Sequence, residues 1–181
     1  PEQPNLFDVI FHVLECGCEA DTVQSYFGMR KVSIQNGQFL LNNRPYYQKL
    51  VLDQGYWPES LLTAPSDEAF IRAIELTKAM GFNGVRKHQK VEDPRYLYHA
   101  DRMGLLVWGE IGAAYLYSEQ YADRIYREWL DMLRRDYNHP CIVVWTPLNE
   151  SWGVQEIETD PRQQAHSKAM VAITKSMDTT R

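Results

Sequence analysis

The hydrophobic and polar positions divide the chain into a short β-rich start and a longer part of alternating apolar and amphipathic segments. Between Leu6 and Gln35, the runs VIFHVL and YFGMRKVSI alternate in polarity and are broken by Gly and Asp, as in half-exposed antiparallel strands. Asn36-Gly37 then separates two further runs, which predicts a hairpin because both turn residues tolerate positive φ. We predict that residues 1–35 are the last strands of a β-sandwich domain.

After Pro45 the pattern becomes four repeats of an apolar strand and a capped amphipathic helix. The predicted strands are YYQKLVL, FNGVRKH, LLVWGE and CIVVW. The predicted helices run from Ser66 to Met80, from Asp93-Pro94 to Gly104, from Ser118 to Asn138, and from Asp160-Pro161 along an apolar face of Ala165, Ala169, Ile173 and Met177. Strands that are apolar on both faces and alternate with helices predict a parallel sheet.

Two α/β architectures contain such a sheet, a doubly wound open sheet and a (β/α)8 barrel. The open sheet is favoured by a glycine-rich phosphate loop after its first strand, but VLDQGYWPES has a single glycine and two aromatic residues. Four strand-helix units in roughly 135 residues amount to half of a barrel of about 250 residues. We therefore predict that residues 36–181 form the first half of a (β/α)8 TIM barrel.

The composition and net charge of the chain limit the kinds of molecule that it is expected to bind. Hydrophobic residues make up 44% of the chain, enough for a core, and the net charge of -5 argues against nucleic acid or an anionic membrane as the main partner. The start of the chain has neither an initiator Met nor a signal peptide, so we expect it to be part of a longer protein. The three cysteines, with Cys16 and Cys18 on one strand face, favour reduced thiols and a cytoplasmic chain, although localisation stays open.

Polar and aromatic residues collect at the carboxyl ends of the four predicted strands, where parallel α/β proteins place their functional groups. Sugar hydroxyls need hydrogen-bond partners, and the C–H face of a sugar stacks on aromatic rings, so this composition suits a carbohydrate ligand. The candidate residues are Asp53, Tyr56 and Trp57; Arg86 and His88; Glu110; and Asn149, Glu150 and Trp152.

Three ordered segments carry a resemblance to a known family. YFGMRKVSIQNGQFLLNNRP, GFNGVRKHQKVEDPRYLYHADRMGLLVWGEI and NHPCIVVWTPLNESWG closely resemble the junction and first half of the catalytic barrel of glycoside hydrolase family 2. The resemblance implies that residues 1–35 come from an immunoglobulin-like domain. It also implies a glycosidase that acts on β-glycosides and needs no cofactor.

The family resemblance also implies a retaining mechanism. Glu150 corresponds to the general acid/base and Asn149 to the residue that hydrogen-bonds the sugar 2-hydroxyl. An apolar strand end is expected to raise the pKa of Glu150 so that the acid keeps its proton. The nucleophile would be a second carboxylate about 5 to 5.5 Å away, and the family places it beyond residue 181. We therefore expect residues 1–181 alone to bind sugar weakly and not to turn it over.

The remaining candidates have structural interpretations beside the functional ones. We assign all of them to substrate binding, although Arg86 and Glu110 could form a structural ion pair, Asp53 and Tyr56 could hold their loop, and His88 could be an exposed loop residue. Trp57 and Trp152 are the stacking candidates. No metal site is predicted, because the third strand ends in GEIGAAY without the acidic, histidine-containing stretch of metal-dependent members.

The sugar and the assembly remain open from the sequence. A β-galactoside is the favoured substrate; a β-glucuronidase, another family 2 β-glycosidase, and a non-catalytic carbohydrate-binding or structural module are the alternatives. The first and fourth barrel strands would be open edges, which predicts either a homo-oligomer or burial of those edges against the β-rich start.

Overall fold

The computed structural model describes residues 1–181 and contains three β-sheets and four helices. The strands are β1 (Phe7–Glu15), β2 (Cys18–Phe27), β3 (Val32–Gln35), β4 (Gln38–Leu41), β5 (Arg44–Pro45), β6 (Leu50–Asp53), β7 (Gly84–Lys87), β8 (Leu106–Glu110) and β9 (Ile142–Thr146). The helices are α1 (Asp67–Ala79), α2 (Pro94–Met103), α3 (Glu119–Asp136) and α4 (Pro161–Met177).

The β-rich start consists of two antiparallel sheets. The β1–β2 hairpin turns at Cys16-Gly17, where φ is 50° and 80°. Cys16 therefore lies in a turn, and the prediction that it shares a strand face with Cys18 is wrong. The run YFGMRKVSI is likewise not one strand, because β2 ends at Phe27 and a new sheet begins at Val32.

The predicted Asn-Gly hairpin is confirmed. It joins β3 to β4, with φ of 52° at Asn36 and 73° at Gly37. The proposed boundary between residues 35 and 36 falls in this turn, and the division into two domains stays a prediction. Leu41 of β4 packs with Leu106 and Val143 of the parallel sheet, so this second sheet is attached to the barrel part.

The four strand-helix units form the predicted parallel sheet, in the order β6-β7-β8-β9, as in a partial TIM barrel. The first of these strands begins at Leu50, not at Tyr46. Helices pack on one face of the sheet around a core that includes Phe70, Ile74 and Trp129. β6 and β9 are the outer strands, and neither pairs with the antiparallel sheets. Self-association through these edges remains a prediction.

The helices have the capping residues that the sequence predicts. Ser66, Asp93, Ser118 and Asp160 each accept a hydrogen bond from a backbone amide of the first turn, and Gly104 ends α2 at φ 70°. None of the helices is long and apolar enough to cross a membrane.

The predicted apolar face of α4 is confirmed in part, since Ile173 and Met177 are half-buried against the main core. Ala165 is exposed, and the residues that the helix buries are Gln163, His166, Met170 and Thr174. The buried face is mostly polar because its side chains have partners: the Trp129 indole donates to Thr174 Oγ1 at 2.8 Å, and the His166 Nδ1 lies 2.8 Å from the Tyr126 hydroxyl.

A polar contact joins the β1–β2 hairpin to the barrel part. The Tyr26 hydroxyl donates to the buried Asp101 carboxylate at 2.7 Å, and His139 Nδ1 lies 2.6 Å from the same oxygen. Asn138 donates to the Tyr26 carbonyl at 2.6 Å. The hairpin is thus held at its β2 end, while its apolar residues, among them Phe7 and Phe11, are exposed.

Candidate active site

The pleat of β7 sends two adjacent basic residues to opposite faces of the sheet. Successive side chains of a strand alternate between faces. Lys87 contacts the ring of Tyr96 in α2, with Nζ 3.7 Å from the ring centroid, so it lies on the helix side. Arg86 therefore lies on the inner face of the partial barrel, which is also the face of Glu110.

The Lys87 ammonium is almost fully buried, with 3% of its side chain exposed, and is neutralised by two carboxylates. Nζ lies 2.5 Å from Asp53 Oδ2 and 2.7 Å from Glu92 Oε2. Asp53 Oδ1 also accepts the Gly55 amide at 2.8 Å. The structure places Asp53 in this ion pair on the helix side, and the substrate contact predicted for it stays a prediction.

The inner-face network is centred on Glu110, whose side chain is 0% exposed. Arg86 Nε donates to Glu110 Oε2 at 2.7 Å, and the Gln89 amide donates to Oε1 at 2.8 Å. Arg86 Nη2 also donates to Asn149 Oδ1 at 2.5 Å. Because both oxygens of Glu110 are engaged below the surface, Glu110 positions Arg86 and does not reach the cleft as a predicted substrate ligand.

Asn149 and Glu150 lie in the turn that follows β9. Asn149 is buried and its amide nitrogen has no hydrogen-bond partner. The Trp152 amide donates to the Asn149 carbonyl at 3.2 Å, so Asn149–Trp152 form a β-turn. Glu150, the second residue of that turn, has φ 52°, a left-handed conformation that non-glycine residues rarely adopt outside turns and functional sites.

Residues 1–181 do not provide the apolar surroundings expected for Glu150, and its raised pKa stays a prediction. Its side chain is exposed at the mouth of the sheet. Only Asn149 is enclosed by the strand end, because the turn carries the next residue outward. Residues 1–181 therefore enclose the Asn149 side chain and hold its oxygen through Arg86, whereas the Glu150 carboxylate is exposed.

An open cleft with a volume of about 710 Å³ lies beside this turn and is lined by loops that follow all four parallel strands. Three of the predicted ligand residues line it, namely Tyr56, His88 and Trp152. Tyr115, which the sequence analysis missed, lines it as well, and the run AAYLY after the third strand was the available indication. No group of three or more His, Cys, Asp and Glu side chains is arranged to hold a metal ion.

Trp57 does not line the cleft, contrary to the stacking role predicted for it. Its backbone pairs with that of Leu61, and its ring meets Phe70 edge-on with centroids 6.0 Å apart. The loop after β6 turns back onto α1 at this point. Trp57 is therefore a packing residue of the core.

Gly153 allows the loop after Glu150 to pack against α3. Its φ is 72°, and a Cβ at this position would lie 2.7 Å from three atoms of the Tyr121 side chain. The Tyr121 hydroxyl is buried without a hydrogen-bond partner, and burial raises its pKa to about 12. The absence of a side chain at Gly153 thus leaves room for the Tyr121 ring beside the turn that carries Glu150.

We expect Gly153→Ala to destabilise the chain more than Gly37→Ala. Both glycines have left-handed φ, of 72° and 73°, but a Cβ at Gly37 has no atom within 4 Å. The conformational cost of about 1 kcal/mol is common to both substitutions. Any further loss of unfolding free energy in Gly153→Ala therefore measures the contact with Tyr121. Urea unfolding gives both values, and equal losses would show that the contact imposes no constraint.

We expect Asp53→Asn to lower the free energy of unfolding by about 2 kcal/mol near neutral pH. Burial opposes ionisation of Asp53, but the charge and hydrogen bond of Lys87 outweigh it and lower the carboxyl pKa below its ordinary value of 3.8. A lowered pKa stabilises the fold above the ordinary value and loses its effect as pH falls through the folded-state pKa.

The difference between wild-type and Asp53→Asn chains should therefore be largest above pH 3.8 and shrink below it. Urea unfolding across this range tests the expectation, with Asp8→Asn on the exposed hairpin as the control for loss of a surface carboxylate. A difference that grew on acidification would contradict the assigned ion pair.

Comparisons with known proteins agree with the fold. The family model described as "Glycosyl hydrolases family 2, TIM barrel domain" matches residues 32–181. A β-galactosidase of Photobacterium profundum is 32% identical over 160 residues, which cover 83% of this chain and 15% of that protein. A putative β-glucuronidase of Formosa agariphila is 29% identical over 163 residues, 87% of this chain and 19% of that protein.

A solved structure shows the same similarity. The family 2 glycosyl hydrolase from Bacteroides cellulosilyticus superposes with a TM-score of 0.84 and 28% identity, covering 98% of this chain and 24% of that one. The chain thus spans less than a quarter of the length of these relatives. By the match of residues 32–181 to its TIM-barrel domain, the chain belongs to glycoside hydrolase family 2.

Proposed function

We propose that the longer protein containing this chain hydrolyses terminal β-glycosides with retention of configuration, and that Glu150 is its general acid/base. Asn149 binds the sugar 2-hydroxyl, and Tyr56, His88 and Trp152 line the substrate cleft. The nucleophile is a second carboxylate supplied by residues outside 1–181. This chain alone accordingly turns over no substrate.

The observation that carries the proposal is the unpaired amide of Asn149. Its oxygen is held by Arg86 at 2.5 Å, while its buried nitrogen lacks a partner. A buried donor without an acceptor costs free energy unless a ligand provides one. A sugar hydroxyl is such an acceptor, and the next residue, Glu150, then stands beside the same sugar ring.

The pairing of the other carboxylates supports a nucleophile outside this chain. A retaining enzyme needs a free carboxylate about 5 to 5.5 Å from the acid/base. Asp53 is neutralised by Lys87, and Glu110 by Arg86 with a second bond from the Gln89 amide. Neither is free to attack an anomeric carbon. Arg86 is held by Glu110 and Asn149 at the mouth of the sheet, where we place it in the substrate site as a positioning residue for Asn149.

The substrate we propose is a β-galactoside, since a relative named as a β-galactosidase is 32% identical to the chain. A β-glucuronide is the second candidate, since another relative is named as a putative β-glucuronidase. We expect the longer protein to cleave nitrophenyl β-galactoside with a higher kcat/KM than nitrophenyl β-glucuronide. The reverse order would move the assignment to glucuronides.

We expect Glu150→Gln to lower kcat/KM for an alkyl β-glycoside by about 10² to 10⁴ in the longer protein. An alkoxide leaves poorly without a proton, whereas a dinitrophenolate needs little help, so the dinitrophenyl glycoside should lose much less in the glycosylation step. Glu156→Gln, an exposed residue of the same loop, is the matched control.

Unchanged alkyl glycoside hydrolysis in Glu150→Gln would remove Glu150 from the mechanism. A wild-type protein that bound sugars and hydrolysed none of these glycosides would instead support the non-catalytic carbohydrate-binding alternative.

A further inference from the structure

Two exposed aromatic rings form a corner at one end of the cleft. Tyr115 is 79% exposed and Trp152 is 38% exposed. Their ring centroids are 5.1 Å apart and their planes meet at 76°. Single exposed aromatic residues are common on protein surfaces, but here two rings from successive strand-end loops contact each other and line the same cavity.

The loop that carries Tyr115 is fixed on both sides of the ring. The Ala113 amide donates to the Gln89 side chain at 3.0 Å, and the Tyr117 amide donates to the Gln155 side chain at 3.1 Å. Trp152 is fixed through the bond from its own amide to the Asn149 carbonyl. The backbone that carries the two rings is therefore ordered before any ligand arrives, which lowers the entropic cost of binding.

The position of the corner relative to Glu150 identifies the part of the substrate it contacts. A general acid donates its proton to the glycosidic oxygen, so its carboxyl lies on the leaving-group side of the bond. Trp152 closes the β-turn that contains Glu150. A ring held by Trp152 and Tyr115 is accordingly in the leaving group and not in the sugar that Asn149 binds.

The charges of the cleft indicate that this leaving group is neutral. Lys90 is the only Lys or Arg in the lining. Its Nζ lies 3.3 Å from Glu92 Oε1 and donates to the Gly55 and Leu62 carbonyls at 3.0 and 2.9 Å. The His88 imidazole lies 3.2 Å from the Gln54 amide. The lysine charge is already compensated, so the cleft offers no unpaired ammonium or guanidinium to an anionic group.

We propose that Tyr115 and Trp152 form a leaving-group subsite that selects β-glycosides whose leaving group carries an uncharged six-membered ring with an apolar face. The ring is a pyranose or a hydrocarbon ring, since both stack on aromatic side chains. This inference rests on the proposed function, because it uses the position of Glu150 as the acid.

The test compares leaving groups in the longer protein. For wild type, Trp152→Ala and Tyr115→Ala, kcat/KM is measured on β-glycosides of one sugar with methyl, cyclohexyl, phenyl and glucosyl leaving groups. For each protein, kcat/KM on each ring-bearing glycoside is divided by kcat/KM on the methyl glycoside, which removes effects common to all substrates. We expect this ratio to fall about tenfold in both variants, and to be restored when Tyr115 is replaced by Phe, which keeps the ring.

Leu116→Ala is the matched control, because Leu116 is exposed in the same loop and does not line the cleft. Its ratio should equal that of wild type. A fall confined to cyclohexyl and phenyl glycosides would assign the subsite to hydrocarbon rings, and a fall confined to the glucosyl substrate would assign it to sugars.

An equal loss on methyl and ring-bearing substrates in both alanine variants would overturn the subsite. Failure of the underlying function gives a different result, namely that Glu150→Gln leaves every substrate unaffected. The two failures are therefore distinguishable.

Discussion

The burial of one carboxylate, Glu110, is the constraint on which the candidate site depends. A charge removed from water persists only when its oxygens are paired, and here Arg86 and the Gln89 amide provide both partners. Because Arg86 also holds the Asn149 oxygen, the single buried charge connects the ends of β7, β8 and β9. The bond from Arg86 thereby fixes the orientation of the buried Asn149 amide and leaves its nitrogen without a partner in this chain.

The pleat of the parallel sheet places the Glu110 network and the Lys87 network on opposite faces. Arg86 and Lys87 are neighbours in sequence, but Arg86 serves the inner face and Lys87 neutralises Asp53 and Glu92 under the helices. A parallel sheet covered by helices can therefore carry five charged residues near its carboxyl edge. One set, Lys87 with Asp53 and Glu92, stabilises the helix layer, and the other, Arg86 with Glu110, orients Asn149. Mutations in the two sets should affect stability and activity separately.

The sequence predicted the elements well because their determinants are local: capping residues, glycine turns and apolar strands. The buried polar residues of α4 were missed because His166 and Thr174 pair with Tyr126 and Trp129 of α3, and apolar periodicity cannot reveal such pairs. The same limit applies to the site. The order of the strands predicted which strand ends meet. It could not predict that Trp57 packs into the core or that Glu150 is exposed in this chain, because both depend on the conformation of loops.

The central claim is that Glu150 is the acid/base of a retaining β-glycosidase. In Glu150→Ala of the longer protein, a dinitrophenyl β-glycoside still forms the glycosyl-enzyme, and the vacated β face admits azide as the second nucleophile. Proton NMR of the product measures the outcome directly. We expect azide-accelerated turnover to the β-glycosyl azide. An α-glycosyl azide would instead identify Glu150 as the nucleophile, and the absence of any azide product would contradict its catalytic role.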